Sequence, residues 1–185
     1  MTRPATSQTV RTLLCAANLS DKVVSGFVPV AKIAAMVLLV TTIFDLVSRR
    51  FFVLGSTRLQ EMEWHMHVVL FALCLGYAYA KDRHVRIDLF HLGFGARRKW
   101  MIEIFGIVFL ALPYLLLLLY FSAQFFWQSF VIDEPSKAAL GIPHRWIIKF
   151  FLPLGIGLLI VATLGVFCRA LAGLLLPPDS ESTVQ

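Results

Sequence analysis

Apolar residues run along this chain in long stretches, without the alternation of a strand or the narrow stripe of a soluble helix. A helix of about 20 apolar residues crosses the roughly 30 Å hydrocarbon layer of a bilayer. The pattern therefore predicts four transmembrane helices, over about 27–47, 62–80, 101–132 and 150–168. The first is interrupted by Lys32 and, near its far end, Asp45, and is stopped by Arg49 and Arg50. The second is opened by Glu61 and Glu63 and closed by Lys81, Asp82 and Arg83. The third has no charge from Ile104 to Ile132, and Pro113 is expected to bend it by removing a helical hydrogen bond. The fourth is charge-free from Phe150 to Cys168, with Pro153 expected in its first turn and Arg169 expected to close it.

Between the second and third stretches, Val85, Ile87, Leu89, Phe90, Leu92 and Phe94 are interspersed with His84, Arg86, Asp88 and His91. That mixture predicts a short amphipathic helix on the membrane surface, anchored by His84, Arg86 and Asp88. Residues 1–22 read as a cytoplasmic N-terminal segment, 81–99 as a cytoplasmic interfacial loop and 177–185 as a flexible tail.

Composition turns this pattern into a class. Of 185 residues, 58% are hydrophobic and 15% charged, with a mean hydropathy of +0.77, which leaves little chain for a soluble domain. The fold class is a single all-α membrane domain of four transmembrane helices and one interfacial helix. The net charge of +6 sits mostly between the apolar runs, so it sets topology rather than binding nucleic acid. Ten Lys and Arg fall in the tails and the 81–99 loop, against six in the other two connections. The positive-inside rule then puts both termini in the cytoplasm. Trp64, Trp127 and Trp146 near outward ends, and Trp100 near an inward one, fit an interfacial aromatic belt.

Lys32 and Glu103 lie at similar depth near the cytoplasmic ends of the first and third spans, and are expected to form a structural ion pair or to snorkel separately. Arg49, Arg50, Glu61 and Glu63 crowd the first outward turn as a second set of structural ion pairs. Cys15, Cys74 and Cys168 have no metal or redox spacing. No phosphate loop, nucleophile elbow, HExxH or CxxC is present, so neither enzymatic activity nor a cofactor or metal bound by this chain is expected. Two other readings stand beside this one. One is a homo-oligomeric small transporter. The other is a haem or quinone module, for which only His65 and His144 near one interface approach matched depth.

The order of residues resembles the small permease subunit of the tripartite ATP-independent periplasmic (TRAP) transporters over about Val23 to Gly173. The motifs are Arg49-Arg50-Phe51-Phe52, Leu59-Gln60-Glu61-Met62-Glu63-Trp64-His65, and Leu75-Gly76-Tyr77-Ala78-Tyr79-Ala80-Lys81-Asp82-Arg83-His84-Val85-Arg86-Ile87-Asp88. Glu134-x-Ser136 and Pro143-x-x-Trp146-Ile147-Ile148-Lys149-x-x-Leu152-Pro153-Leu154-Gly155 complete the set. The chain departs from the pattern at Arg50, where an aromatic is usual, and at Val53, where a small polar residue is common. The resemblance implies a complex with a large elevator-type membrane subunit and a periplasmic solute-binding protein, driven by an ion gradient, with sodium coupling in the large subunit. This chain would be its scaffold in the bacterial inner membrane. Arg58, Asp133, Glu134, Lys137 and Arg145, in the outward connections, would be contacts for the binding protein. The 60–65 stretch is similar to the branch labelled for mannitol or chloroaromatic compounds, which implies uptake of an organic acid.

Overall fold

The computed structural model describes residues 4–52, 55–81, 96–138 and 140–176, and every regular element among them is helical. In chain order these are α1 (Pro4–Gly26), α2 (Val28–Phe52), α3 (Thr57–Ala80), α4 (Ala96–Gly106), a π-helical turn (Ile107–Ala111), α5 (Leu112–Val131) and α6 (Trp146–Leu175). Three helical runs, Gln8–Phe52, Arg97–Val131 and Trp146–Leu175, are long and apolar enough to cross a membrane. α3 is not among them, since Arg58, Glu61, Glu63, His65 and His67 dilute its N-terminal half. The segment containing His84, Arg86 and Asp88 lies outside the described residues, so the expected interfacial helix does too.

The π turn follows from Pro113. A proline has no N–H, and its ring crowds the carbonyl four residues back. Here the preceding residue, Leu112, donates its N–H to the carbonyl of Ile107, five residues back. The wider turn absorbs the misfit, and the helical run continues to Val131.

Two expectations for the last helix are corrected. α6 starts at Trp146, so Pro153 lies inside the helix and not in its first turn. Arg169 does not close α6, which continues to Leu175. The guanidinium is matched there: Arg169 Nη2 donates to Asp21 Oδ2 at 2.5 Å, and each side chain is only 22% exposed. A partly buried charge interrupts a helix far less when a carboxylate neutralises it in place.

The described residues fall into two compact units. The first holds the chain up to Ser25, Gly76–Leu116 and the chain from Leu158. α1 gives it a stripe of buried residues, Val10, Ala17, Ser20 and Val24, at the three-, four- and seven-residue spacing of one helix face. Small residues let backbones close up: a Cβ on Gly165 would strike the Ser20 hydroxyl, one on Gly173 would lie 2.7 Å from the Trp100 ring, and one on Gly76 would lie 2.9 Å from the Leu158 carbonyl.

The second unit holds Gly26–Leu75 and Leu117–Gly157. α2 buries only Ala31, Ala34, Asp45 and Ser48, while Ile33, Met36, Leu39, Val40, Ile43, Phe44 and Leu46 stay exposed. α3 and α6 approach closely in this unit, since a Cβ on Gly155 would sit 2.7 Å from that of Ala72. Hydroxyls within the helices bond back to carbonyls three or four residues earlier, as Thr41, Ser122 and Thr163 do, which satisfies them without water.

Candidate functional site

The densest polar network among the described residues lies in the second unit, where the connection from Ile132 to Arg145 is fastened to the first turns of α3 and α6. Glu61, in the second turn of α3, is its main fastening. One carboxylate oxygen accepts from the Ser136 hydroxyl, and the other accepts from the backbone N–H of Ile142 at 2.5 Å. Ser136 also accepts from the N–H of Ala138 at 3.1 Å, and Gly141 N–H closes a turn onto the carbonyl of Ala138. One turn before Glu61, Arg58 Nε donates to the carbonyl of Leu140 at 3.2 Å. A carboxylate taking two donors from a loop holds it more firmly than neutral bonds would, since charge-assisted bonds are about twice as strong.

The ends of the connection are fastened to α6. Asp133 Oδ1 accepts from His144 Nδ1 at 2.7 Å and from Trp146 Nε1 at 3.0 Å. The hydrogen bond from His144 holds the Asp133 carboxyl below its usual range. Glu134 pairs with Lys149, whose ammonium also stands 3.8 Å from the centre of the Phe125 ring. The Lys149 bond likewise lowers the Glu134 carboxyl. The backbone joins in: Arg145 N–H donates to the Glu134 carbonyl at 3.0 Å, and Glu134 N–H to that of Ser129 at 3.1 Å.

Around the α2 end, Arg49 Nε donates to Asp45 Oδ2 at 2.6 Å, a pair four residues apart on one helix face. With the Gln60 amide turned so that its oxygen faces Arg49, both terminal guanidinium nitrogens reach it, at 2.5 and 2.9 Å. Arg49 therefore meets Asp45 and Gln60, while Glu61 is occupied by the loop. Arg50 is exposed. Glu63 is half-buried, with Oε1 shielded and unpartnered among the described residues. Lys32 is exposed on α2 in the second unit, and Glu103 is half-buried on α4 in the first. Lys137 is exposed in the connection itself.

Of the residues named from the sequence, Arg58 and Glu61 stand on α3 and bond to the connection that carries Asp133, Glu134, Lys137 and Arg145. Their partners Ser136, Ile142, His144, Trp146 and Lys149 were not singled out as site residues. The only local signal for any of these contacts was the four-residue spacing of Asp45 and Arg49.

Among the described residues no group of three His, Cys, Asp or Glu is placed to hold a metal ion. The second unit also carries an open groove of about 680 Å³ between α3, α5 and α6, with an almost wholly apolar lining that includes Phe71, Phe121, Phe125 and Leu152. The network is thus built to fix a loop in shape on an apolar helical frame. Residues 19–173 match the family model described as "Tripartite ATP-independent periplasmic transporters, DctQ component". No curated protein matches the chain.

Proposed function

The chain belongs to the DctQ-component family of the tripartite ATP-independent periplasmic transporters, and we propose that it is the stationary scaffold of such a transporter, with the loop between α5 and α6 as a docking platform. Membership makes it a multi-pass inner-membrane component of a transporter. The further reading is that α3 also crosses the bilayer, giving four spans, with both termini cytoplasmic and the 132–145 connection periplasmic. The excess of Lys and Arg on the opposite side supports that orientation.

The single observation that carries the platform is the Glu61 fastening. A connection whose backbone is held by Glu61, Arg58, Asp133 and Glu134 keeps one shape before any partner arrives. Preorganisation lowers the ordering cost of binding. The scaffold role is supported by the exposed apolar face of α2, a surface for lipid or for another membrane subunit. In this reading the large subunit moves the solute, an organic acid, by an elevator motion coupled to an ion gradient, and the binding protein delivers it.

Purification of the tagged chain, co-expressed with the large membrane subunit and the solute-binding protein of its own transporter, tests the reading. Recovery of a stable complex with the large subunit, which takes up solute only when all three are present, is the expected result. A pure homo-oligomer that transports by itself in liposomes would overturn it.

A further inference from the structure

Each carboxylate at the fastened loop is taken up by partners there: Glu61 by Ser136 and the Ile142 N–H, the exposed Asp133 by His144 and Trp146, and Glu134 by Lys149. Arg145 is half-buried, and its charge bears on both Glu61 and Glu134. Two cations face outward. Arg58 is exposed and uses its Nε on the Leu140 carbonyl, leaving its terminal amino groups available. Lys137 is exposed three residues before Leu140, and among the described residues no carboxylate pairs with either cation. Leu140, whose carbonyl Arg58 holds, is itself 69% exposed.

The geometry points to a partner with an acidic surface, which seats carboxylates on Arg58 and Lys137 around an apolar contact with Leu140. This rests on the docking role proposed above, and it gives the solute-binding protein's docking face its chemistry. Exposed cations of one sign speed the encounter with an oppositely charged face. A protein fits better than a layer of anionic lipid headgroups. The backbone carrying both cations is fixed by the Arg58–Leu140 and Glu61–Ile142 bonds, and fixed spacing favours a partner that is itself rigid. A fluid lipid surface responds to net charge and gains nothing from spacing.

The test uses the complex of this chain with its large subunit in nanodiscs of zwitterionic lipid, and the solute-binding protein of the same transporter as the probe. Association is followed by biolayer interferometry. Lys137→Glu and Arg58→Glu should each slow association about five- to tenfold at low salt, with the difference fading by about 0.5 M NaCl, where charges a few ångströms apart are screened. Lys137→Arg and Arg58→Lys should remain close to wild type. Among the described residues Lys137 makes no side-chain bond, so Lys137→Glu leaves the fastening intact, which unchanged resistance of the loop to protease confirms.

Equal association of wild type and Lys137→Glu at every salt concentration would overturn the acidic face while leaving the docking role standing. Absence of association by the wild-type complex would remove the docking role, and this inference with it. If Lys137→Glu loses only binding to phosphatidylglycerol vesicles and still binds the protein normally, the patch is a lipid contact and the inference is wrong.

Discussion

Asp133 and His144 are the two non-glycine residues with left-handed backbone among the described residues, at φ of 44° and 61°, and their side chains bond to each other at 2.7 Å. Left-handed backbone is unfavourable for residues with a Cβ, by roughly 1–2 kcal/mol. The strain stands at both ends of the connection, and the bond between the same two residues holds it in place. Strained backbone persists only where its surroundings over-determine it.

Two substitutions of His144 separate the strain from the bond. His144→Ala loses the bond to Asp133 and keeps the strained backbone, whereas His144→Gly loses the bond and relieves the strain. The glycine variant is expected to be the more stable of the two by about 1 kcal/mol. Thermal unfolding of the purified protein in detergent reads the difference, and an alanine variant at least as stable as the glycine variant would show that the left-handed φ carries no strain.

The fastening should weaken in acid. The carboxyls of Asp133 and Glu134 titrate below their ordinary range in the folded protein, through bonds from His144 and Lys149 respectively. Groups with depressed folded values contribute stability above their unfolded pKa, and that contribution disappears as pH falls through the folded value. Exchange protection of the Arg145 N–H, which bonds to the Glu134 carbonyl, is therefore expected to be steady near neutrality and to fall below about pH 4, after correction for intrinsic exchange. Glu134→Gln should remove part of the acid-dependent drop. Protection that is constant down to about pH 2 would contradict the assignment.

Glu61 is the residue whose loss should free the loop. Glu61→Ala strands the Ser136 hydroxyl and the Ile142 N–H at once, an expected loss of about 2–3 kcal/mol of local stability. Glu61→Gln keeps one amide oxygen as acceptor and should lose less. Limited proteolysis between Asp133 and Arg145 provides the measurement: faster cleavage in the alanine variant, with the glutamine variant in between. Identical cleavage in all three would mean the loop is held by other contacts.

Backbone approach along α6 gives a further expectation. A methyl on Gly155 would meet the Ala72 side chain, and one on Gly76 would meet the Leu158 carbonyl. Gly76→Ala and Gly155→Ala should each destabilise by about 1–3 kcal/mol through overpacking, visible as lower melting temperatures in detergent. A melting temperature that stayed level or rose in both variants would show that the helices can give way without cost.

Much of this fold can be read from hydropathy because a bilayer imposes a length on each crossing, and the three long apolar helical runs overlap three of the four apolar stretches. α1 was not visible in that way. Its buried positions are Val10, Ala17, Ser20 and Val24, a narrow face diluted by Thr9, Thr12 and Asn18, so the tract ahead of Phe27 suggested no element. The end of α6 was misplaced because Arg169 resembles a stop signal unless its partner is known, and Asp21 lies 148 residues away. The same limit applies at the loop. Glu61 stood out as a carboxylate at a helix start, but its partners Ser136 and Ile142 are 75 and 81 residues downstream. Sequence spacing reveals pairs on one helix, such as Asp45 and Arg49, and is silent about pairs that folding alone brings together.

The bond between Asp21 and Arg169 joins residues 148 positions apart along the chain. A growing chain leaves the ribosome from its N-terminus at some 5–20 residues per second. Asp21 therefore waits on the order of ten seconds for the Arg169 guanidinium to be made. A chain cut short before Arg169 would leave the Asp21 carboxylate without that partner for good.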